Sequence, residues 1–571
     1  MRWKIYPKPD PQKTADLAKA LGVDAKIASL LVQRGIESYD EAKAYFRPSL
    51  EELHDPFLMK DMDRAVSRIE AAIASEENIL VYGDYDVDGT TSVALVSSYL
   101  KTYYPNVHTY IPDRYDEGYG ISYKGIDFAA DNEFSLIIAL DCGIKAIDKV
   151  TYASKKGIDF IICDHHRPGP EIPQAVAVLD PKRSDCEYPF KDLCGCGVGF
   201  KLIHALSQHK QDPDDRIKKG IPVELMLYLD LVATAIGADI VPIIGENRIL
   251  AYYGLKVINS NPRNGFKAIL KQVNKDVLTI TDVVFQIAPR INAAGRMKHG
   301  NYAVTLLTET DINLSVAYAA EIEVFNSNRK EADKKITEEA LTQIEEKGEE
   351  KRLTTVVYDE NWHKGVIGIV ASRLTETYYR PTLVFTKSGD TLAASARSVK
   401  GFDVYNALEA CSEYIEQFGG HMYAAGLTLL EKDYEKFKAK FEKVVSETID
   451  PKLLIPEIKI NTELDLNEIT PKFYRVLKQF APFGPGNMTP VFITQSLKDT
   501  GWGKCVGEDK THLRLTVKQR NSNQFAAIGF GLGEKKDVAC KGEPFKAAYV
   551  IDENQWQGNV SLQLRLKDIT A

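Results

Sequence analysis

Residues 79–96 read ILVYGDYDVDGTTSVALV. The apolar run Ile79–Tyr82 gives way to aspartates at alternate positions, Asp84, Asp86 and Asp88, then to Thr90, Thr91 and Ser92 and a second apolar run. The first run has the composition of a strand buried on both faces. The second has that of a helix, with the hydroxyl residues available as caps. Alternate side chains of an extended chain point the same way, so carboxylates at every second position can converge. Their mutual repulsion is costly unless a cation offsets it.

An EF-hand loop opens in the same way, with Gly89 at the sharp turn. Its twelfth position should be a bidentate Glu but is Leu95, and a strand rather than a helix precedes the loop. The plain alternative is a solvated acidic turn. Other apolar segments weigh against it. LIIALDCG (136–143) ends in Asp141, and DFIICDHH (159–166) in Asp164, His165 and His166. LDLVATAIGADIVP (229–242) brings Asp239 after another apolar run. Unrelated surface turns do not repeat this ending, whereas open α/β sheets bind ligands at the carboxyl ends of their strands. Carboxylates mixed with one or two imidazoles suit Mn²⁺ or Mg²⁺. The ligand count is enough for two ions sharing a bridging carboxylate, the device for hydrolysing a phosphodiester.

Working outward, residues 1–55 read as short helices. Residues 56–305 alternate buried strands with helical patterns, the signature of a parallel doubly wound sheet. A long charged helix with Glu/Lys pairs at i,i+4 spacing spans 306–350. Residues 351–450 suggest a second, smaller α/β domain. Residues 455–571 show short alternating strands with Gly and Asn turns, as in an OB-like β-barrel.

The net charge of -8 argues against a highly basic coat protein but allows a local basic groove. With 44% hydrophobic and 27% charged residues the chain has a folded, water-compatible composition, and no run reaches a membrane span. Its eight cysteines form no regular framework, and Cys186, Cys194 and Cys196 fit no common zinc spacing. A reducing, cytoplasmic setting is expected, for a monomer without a membrane partner.

The ordered motifs GDYDVDG (83–89), ALDCG (139–143), CDHH (163–166) and GADIVP (237–242) resemble the DHH phosphoesterase superfamily. RINAAGRM (290–297), WHKGVIGIVASRL (362–374), SARS (395–398), FGGHMYAAG (418–426) and PFGPGNMTPVF (482–492) are similar to the later motifs of its single-stranded-DNA-specific 5′→3′ exonucleases. The resemblance implies that Asp86 binds one ion and Asp88 the other, with Asp84 beside them. It implies that Asp141 bridges, His165 is a ligand and Asp239 completes the second site. His166 would contact the scissile phosphate or the attacking water, and Asp164 would orient an imidazole. Some members place a His ligand where this chain has Tyr82. Single-stranded DNA is the implied substrate, with a single-strand-binding protein and a helicase as partners in recombination and repair.

Phosphate contacts are expected from the second lobe. Gly419 and Gly420 let backbone approach an anion, His421 can donate to it, and Ser395 with Arg397 supplies a hydroxyl and a guanidinium fork. Arg114, Arg290, Asn292 and Arg296 are further candidates. Trp362 and His363 read equally as packing or base-facing. Phe483, Trp502 and Trp556 are stacking candidates in the barrel, each with a core position as its alternative. A DHH phosphoesterase of cyclic dinucleotides or nanoRNA is the competing function. A pyrophosphatase and a catalytically dead DNA-binding scaffold are weaker, because the barrel and every acidic motif are present.

Overall fold

The apolar run before Asp84 becomes β1 (Asn78–Gly83) of a five-stranded sheet. Its partners are β2 (Val107–Tyr110), β3 (Phe134–Leu140), β4 (Asp159–Cys163) and β5 (Ala177–Leu179). The order is β2-β1-β3-β4-β5 and every pairing is parallel. Leu80, Tyr82, Ile137, Ala139, Phe160 and Ile162 point to one face and pack on the helices Tyr123–Asp131 and Ile147–Lys155. On the other face lie α1 (Val87–Lys101) and α2 (Gly195–His209). Burial on both faces is why these strands read as continuous apolar runs rather than alternating ones.

The computed structural model describes residues 1–209, 220–273, 275–556 and 558–571, with the backbone alone for Trp556. The chain forms two units. One comprises His54–Val241 and Tyr253–Pro456, the other Met1–Leu53, Pro242–Tyr252 and Glu457–Ala571.

The larger unit also contains α3 (Leu229–Ala238), α4 (Ala288–Met297) and α5 (Ile312–Glu346). The long helix is capped by Asp311, whose carboxylate accepts the N–H groups of Asn313 and Leu314. Its C-terminal half is packed on one side: Ile336, Ala340 and Ile344 share a core with Trp362, Val366, Val370 and Val384. Its N-terminal half packs on α4. The second lobe is a mixed sheet of β6 (Thr355–Tyr358), β7 (Thr382–Ser388), β8 (Thr391–Arg397), β9 (Gln417–His421) and β10 (Ala424–Leu429). Its order is β9-β10-β8-β7-β6.

In the smaller unit, β11 (Thr462–Glu463) leads into a closed barrel. The barrel strands are β12 (Phe492–Asp499), β13 (Lys504–Val506), β14 (His512–Gln519), β15 (Phe525–Gly529), β16 (Phe545–Trp556) and β17 (Asn559–Thr570). The order is β11-β12-β16-β17-β15-β14-β13, and a β12–β14 pairing closes it. The N-terminal helices are part of this body: Leu17, Ile27, Leu30 and Leu31 share one core with Phe473, Phe480, Phe492 and Leu515. Among the described residues no helix is long and apolar enough to cross a membrane.

Candidate metal centre

Sheet register sets up the site. Gly83 pairs with Leu140, Leu140 with Cys163, and Cys163 with Leu179. The next residue of each strand, Asp84, Asp141, Asp164 and Asp180, therefore stands at one level along the carboxyl edge. Backbone bonds from Asp141 N–H to Cys163 O and from Asp164 N–H to Leu179 O, each 2.9 Å, extend the ladder into this row. The strand order reverses between β1 and β3, which opens a crevice at their carboxyl ends.

Asp86 and Asp88 arrive differently from the expectation of an extended chain. Asp86 is the N-cap of α1, its Oδ1 accepting Gly89 N–H at 2.9 Å. Asp88 lies in the first turn of that helix, and its oxygens accept Gly195 N–H at 2.6 Å and Cys196 N–H at 2.7 Å. The carboxylates converge because a strand-to-helix turn wraps them round the crevice. Thr90, Thr91 and Ser92 are not caps either. They lie inside α1 and donate to Asp86 O, Val87 O and Asp88 O at 2.6, 2.7 and 2.6 Å. The N-termini of α1 and α2 both face the cluster, so two helix dipoles favour its negative charge.

His165 Nε2 lies 3.2 Å from Asp141 Oδ1, 3.5 Å from Asp239 Oδ2 and 3.8 Å from Asp88 Oδ2. Asp239 is delivered by the C-terminal end of α3. Asp88, His165 and Asp239 offer ligand atoms within 4.8 Å of one another, as do Asp141, His165 and His166. Both oxygens of Asp84, Oδ1 of Asp141 and both ring nitrogens of His165 are buried without a hydrogen bond of good geometry. Buried polar atoms rarely stay unsatisfied unless something else binds them. Burial, reinforced by neighbouring carboxylates, pushes Asp84 and Asp141 well above the usual range. The same causes lift Asp88 to about 7 and Asp239 to about 8. Burial and the charge of His166 bring His165 down to about 3, leaving a neutral imidazole ready to act as a ligand. Crowded carboxylates, a neutral imidazole and unsatisfied oxygens fit hard divalent ions.

Both oxygens of Asp164 are taken up by hydrogen bonds. Its Oδ1 pairs with His166 Nδ1 at 2.8 Å and its Oδ2 accepts Ile144 N–H at 2.9 Å. Burial would raise Asp164, but His166 and Ile144 outweigh it and hold the carboxyl at about 2. Burial likewise opposes the charge on His166, and the Asp164 hydrogen bond raises it to about 9. On its other edge His166 Nε2 lies 3.3 Å from the Tyr119 hydroxyl. Tyr82 supplies no ligand. It is fully buried, stacks on Tyr110 and donates to Gly120 O at 2.9 Å.

A second cluster is cationic. Arg114 lies 4.2 Å over the Tyr85 ring, which meets Tyr119 edge-on. Arg296 donates to Gly365 O at 2.9 Å, and its own carbonyl accepts the Tyr115 hydroxyl. Burial, then the charges of Arg114, Arg397 and Arg329, depress Arg296 to about 9. Among the described residues none of Arg114, Arg296 and Arg397 is paired with a carboxylate. Uncompensated guanidinium groups held together fit an anion.

Arg397 Nη1 donates to Ser395 Oγ at 2.9 Å. Arg397 stands opposite Ala424, which pairs with His421, while Ser395 stands opposite Gly426, which pairs with Gly419. These residues thus form two rows on one face of the second sheet. Gly420 has φ +146° and a Cβ there would strike Ala424 and Ala425, whereas one at Gly419 would meet open space. Burial lowers His421, as does the charge of His166.

Arg290 is a correction. It is only 7% exposed, and it donates to Glu323 at 2.6 Å and to Gln286 O at 2.5 Å. It ties α4 to α5 and has no fork free for phosphate. Asn292 lies one turn before Arg296 and is half-buried. Trp362 is core, donating to Glu339 at 2.8 Å, while His363 meets Tyr115 edge-on. Sequence reasoning missed Tyr85, Tyr119, Arg329 and Asp180. Asp180 could have been found, since it ends a fifth apolar run as Asp141 and Asp164 end theirs.

In the barrel, Phe483 packs against the core, Trp502 is 77% exposed, and the Trp556 side chain lies outside the described residues. Lys504 pairs with Arg514, Arg514 with Ile528, and Ile528 with Arg565, so a row carrying three exposed basic residues crosses β13, β14, β15 and β17. Phe530, 56% exposed and unremarked in the sequence, lies 5.5 Å under Arg565 and 5.2 Å from His512.

The DHH family N-terminal domain model matches residues 78–236, the DHHA1 domain model 350–447 and the RecJ OB domain model 460–568. Fold and site together define a two-lobed DHH phosphoesterase. The single-stranded-DNA-specific exonuclease RecJ of Bacillus subtilis is 35% identical, covering 100% of this chain and 70% of that protein. The protein of that name from Escherichia coli is 33% identical, covering 98% and 97%. The RecJ structure from Thermus thermophilus with Mn²⁺ superposes with TM-score 0.84 at 26% identity, covering 100% of this chain and 79% of that one. Its Mg²⁺ complex gives 0.78 at 25% identity over 100% and 78%. The chain belongs to the RecJ family.

Proposed function

We propose that this chain is a single-stranded-DNA-specific exonuclease that hydrolyses phosphodiester bonds from the 5′ end. In this reading two divalent ions, Mn²⁺ or Mg²⁺, are held by Asp84, Asp86, Asp88, Asp141, His165 and Asp239. The observation that carries it is the meeting of His165 with Asp141, Asp239 and Asp88 within 3.8 Å, at a strand-end crevice with unsatisfied carboxylate oxygens.

When bound, the two ions make water acidic enough to attack at neutral pH and offset charge on the reacting phosphate. The chain supplies the rest. Asp164 holds His166 protonated, so that Nε2–H can donate to a non-bridging oxygen of the scissile phosphate. Arg114, Arg296, Ser395 and Arg397 bind the terminal 5′-phosphate, and His421 with the Gly419–Gly420 backbone contacts the same strand. Tyr85 and Tyr119 present ring faces and edges beside this path, where a nucleobase stacks. The basic row and Phe530 of the barrel hold DNA by phosphate pairing and stacking. A monomer working in the cytoplasm with a single-strand-binding protein and a helicase completes the proposal.

The test is one assay in Mn²⁺, with 5′-phosphorylated single-stranded DNA, matched duplex, a linear dinucleotide and pyrophosphate side by side. Mononucleotides released from the single strand alone, starting at the 5′ end, support the reading. Exclusive turnover of the dinucleotide overturns it.

A further inference from the structure

The segment Leu193–Cys196 (LCGC) contains two cysteines that the metal reading leaves unused. Both are fully buried, and they serve the fold: Cys194 Sγ accepts Gly197 N–H at 3.3 Å, in the manner of a helix cap. The Cys196 thiol reaches the Thr91 and Ser92 hydroxyls on α1. What this segment brings to the centre is its backbone. Gly195 and Cys196, the first residues of α2, give one N–H to each oxygen of Asp88, at 2.6 and 2.7 Å. Gly195 also abuts Asp141. A Cβ built on it would lie 2.6 Å from Asp141 Cβ, 2.7 Å from its Oδ1 and 2.9 Å from its Cα.

Gly195 has no left-handed backbone to excuse it, since its φ is not among the positive values of the chain. At a helix start alanine is the better helix former. The conformation tolerates a side chain, and Asp141 does not. Asp141 itself has φ +58°, a left-handed conformation that residues other than glycine seldom adopt. One residue without a side chain is thus wedged between carboxylates from β3 and α1, touching one and bonding the other.

We infer that Gly195 is a positioning residue of the metal centre: by direct backbone contact it sets the spacing between the Asp88 and Asp141 carboxylates, and thereby the affinity for divalent ions. It touches neither substrate nor ion. Groups that orient ligands in this way typically change metal affinity by about 10- to 100-fold. The inference rests on the metal reading above.

The test compares Gly195→Ala with Gly197→Ala in the full chain. The atoms nearest a Cβ at Gly197 would be those of the Leu193 side chain at 3.3 and 3.4 Å and Cys194 Sγ at 3.7 Å, with none under 3.0 Å. Mn²⁺ alone is titrated by calorimetry and electron paramagnetic resonance, and cleavage of single-stranded DNA is measured against Mn²⁺ concentration. The expected result for Gly195→Ala is about a 10-fold or greater rise in the Mn²⁺ dissociation constant, with kcat recovering at high Mn²⁺ and KM for DNA unchanged. Gly197→Ala should stay within about twofold of the parent, well below the change expected of a ligand-orienting group. Equal Mn²⁺ affinity in Gly195→Ala and the parent overturns the inference, as does an equal loss in both variants. If Gly195→Ala does not melt cooperatively, Cys196→Pro decides. Proline is accepted in the first turn of a helix and removes the N–H given to Asp88 together with the thiol, so Cys196→Ala, which removes the thiol alone, is measured beside it. Equal Mn²⁺ affinity in folded Cys196→Pro and Cys196→Ala then overturns the inference. If the parent chain itself binds no Mn²⁺, the functional reading fails instead.

Discussion

His165 Nε2 and Asp141 Oδ1 face each other across 3.2 Å, yet each lacks a hydrogen bond of good geometry. One comes from the end of β4 and the other from the end of β3, and both are buried. Such a pair is stable when a cation lies between or beside the two atoms. Asp141→Ala should therefore lower cleavage at least about 10³-fold, because a bridging ligand underlies several kcal/mol of transition-state stabilisation. Binding of single-stranded DNA, followed by fluorescence anisotropy, should be largely kept. Substantial residual cleavage would rule out a bridging role.

The same groups make metal-free stability depend on pH. Asp88 at about 7 and Asp239 at about 8 are raised from an unfolded value near 3.8, and His166 at about 9 from 6.5. Between pH 6.5 and 9 the folded chain therefore holds more protons than the unfolded one, and its stability falls as pH rises. The low values of Asp164 and His165 act only below this window. In EDTA the melting temperature should drop from pH 6.5 to 9. With Mn²⁺ the drop should be smaller, because the ion takes the place of the protons on Asp88 and Asp239 while His166 keeps its own. A melting temperature that climbs over this window in EDTA contradicts the assignment.

Arg296 and Arg290 sit on one helix with opposite expectations. Charged hydrogen bonds to phosphate contribute about 1.5–3 kcal/mol each. Arg296→Ala or Arg397→Ala should raise KM for 5′-phosphorylated strands by about 10- to 100-fold, and affect 5′-hydroxyl strands less. Arg290→Ala should leave both KM values alone and lower the melting temperature, since it strands Glu323. Steady-state kinetics on the two 5′ ends separates these outcomes.

On the barrel, Phe530→Ala should weaken binding of long single strands by about 1–3 kcal/mol, the usual contribution of one stacked base. Arg514→Ala and Arg565→Ala should each lessen the salt dependence of binding, by about 0.7 in the log–log slope. Removing everything beyond residue 455 is a poorer experiment, because it strips Leu17, Leu30 and Leu31 of their core partners. Anisotropy titrations at several salt concentrations supply the readout. Losses confined to catalysis on very short strands would place the barrel's role elsewhere.

Much of the centre was legible in the chain. Apolar runs ending in Asp84, Asp141 and Asp164–His165–His166 are local patterns, and a parallel strand buried on both faces must end where its apolar run ends. The motif order then delivered the two lobes and the barrel. Other features had no local signal. Asp86 and Asp88 look like alternating strand residues, and only the start of α1 places them on a turn. Arg290 and Arg296 are equivalent as letters, and the packing of α4 on α5 separates them. Arg329 looks like any charge on a solvated helix until its face is buried.

The sequence by itself determined which carboxylates and imidazoles are available and which strand ends carry them, because strand burial and composition are properties of short segments. Tertiary structure alone decided which of them meet. Register lines up Asp84, Asp141, Asp164 and Asp180, and the N-terminus of α2, more than a hundred residues beyond Asp88, closes on that carboxylate. Contacts of that kind depend on how distant elements pack, and no window of sequence holds both partners.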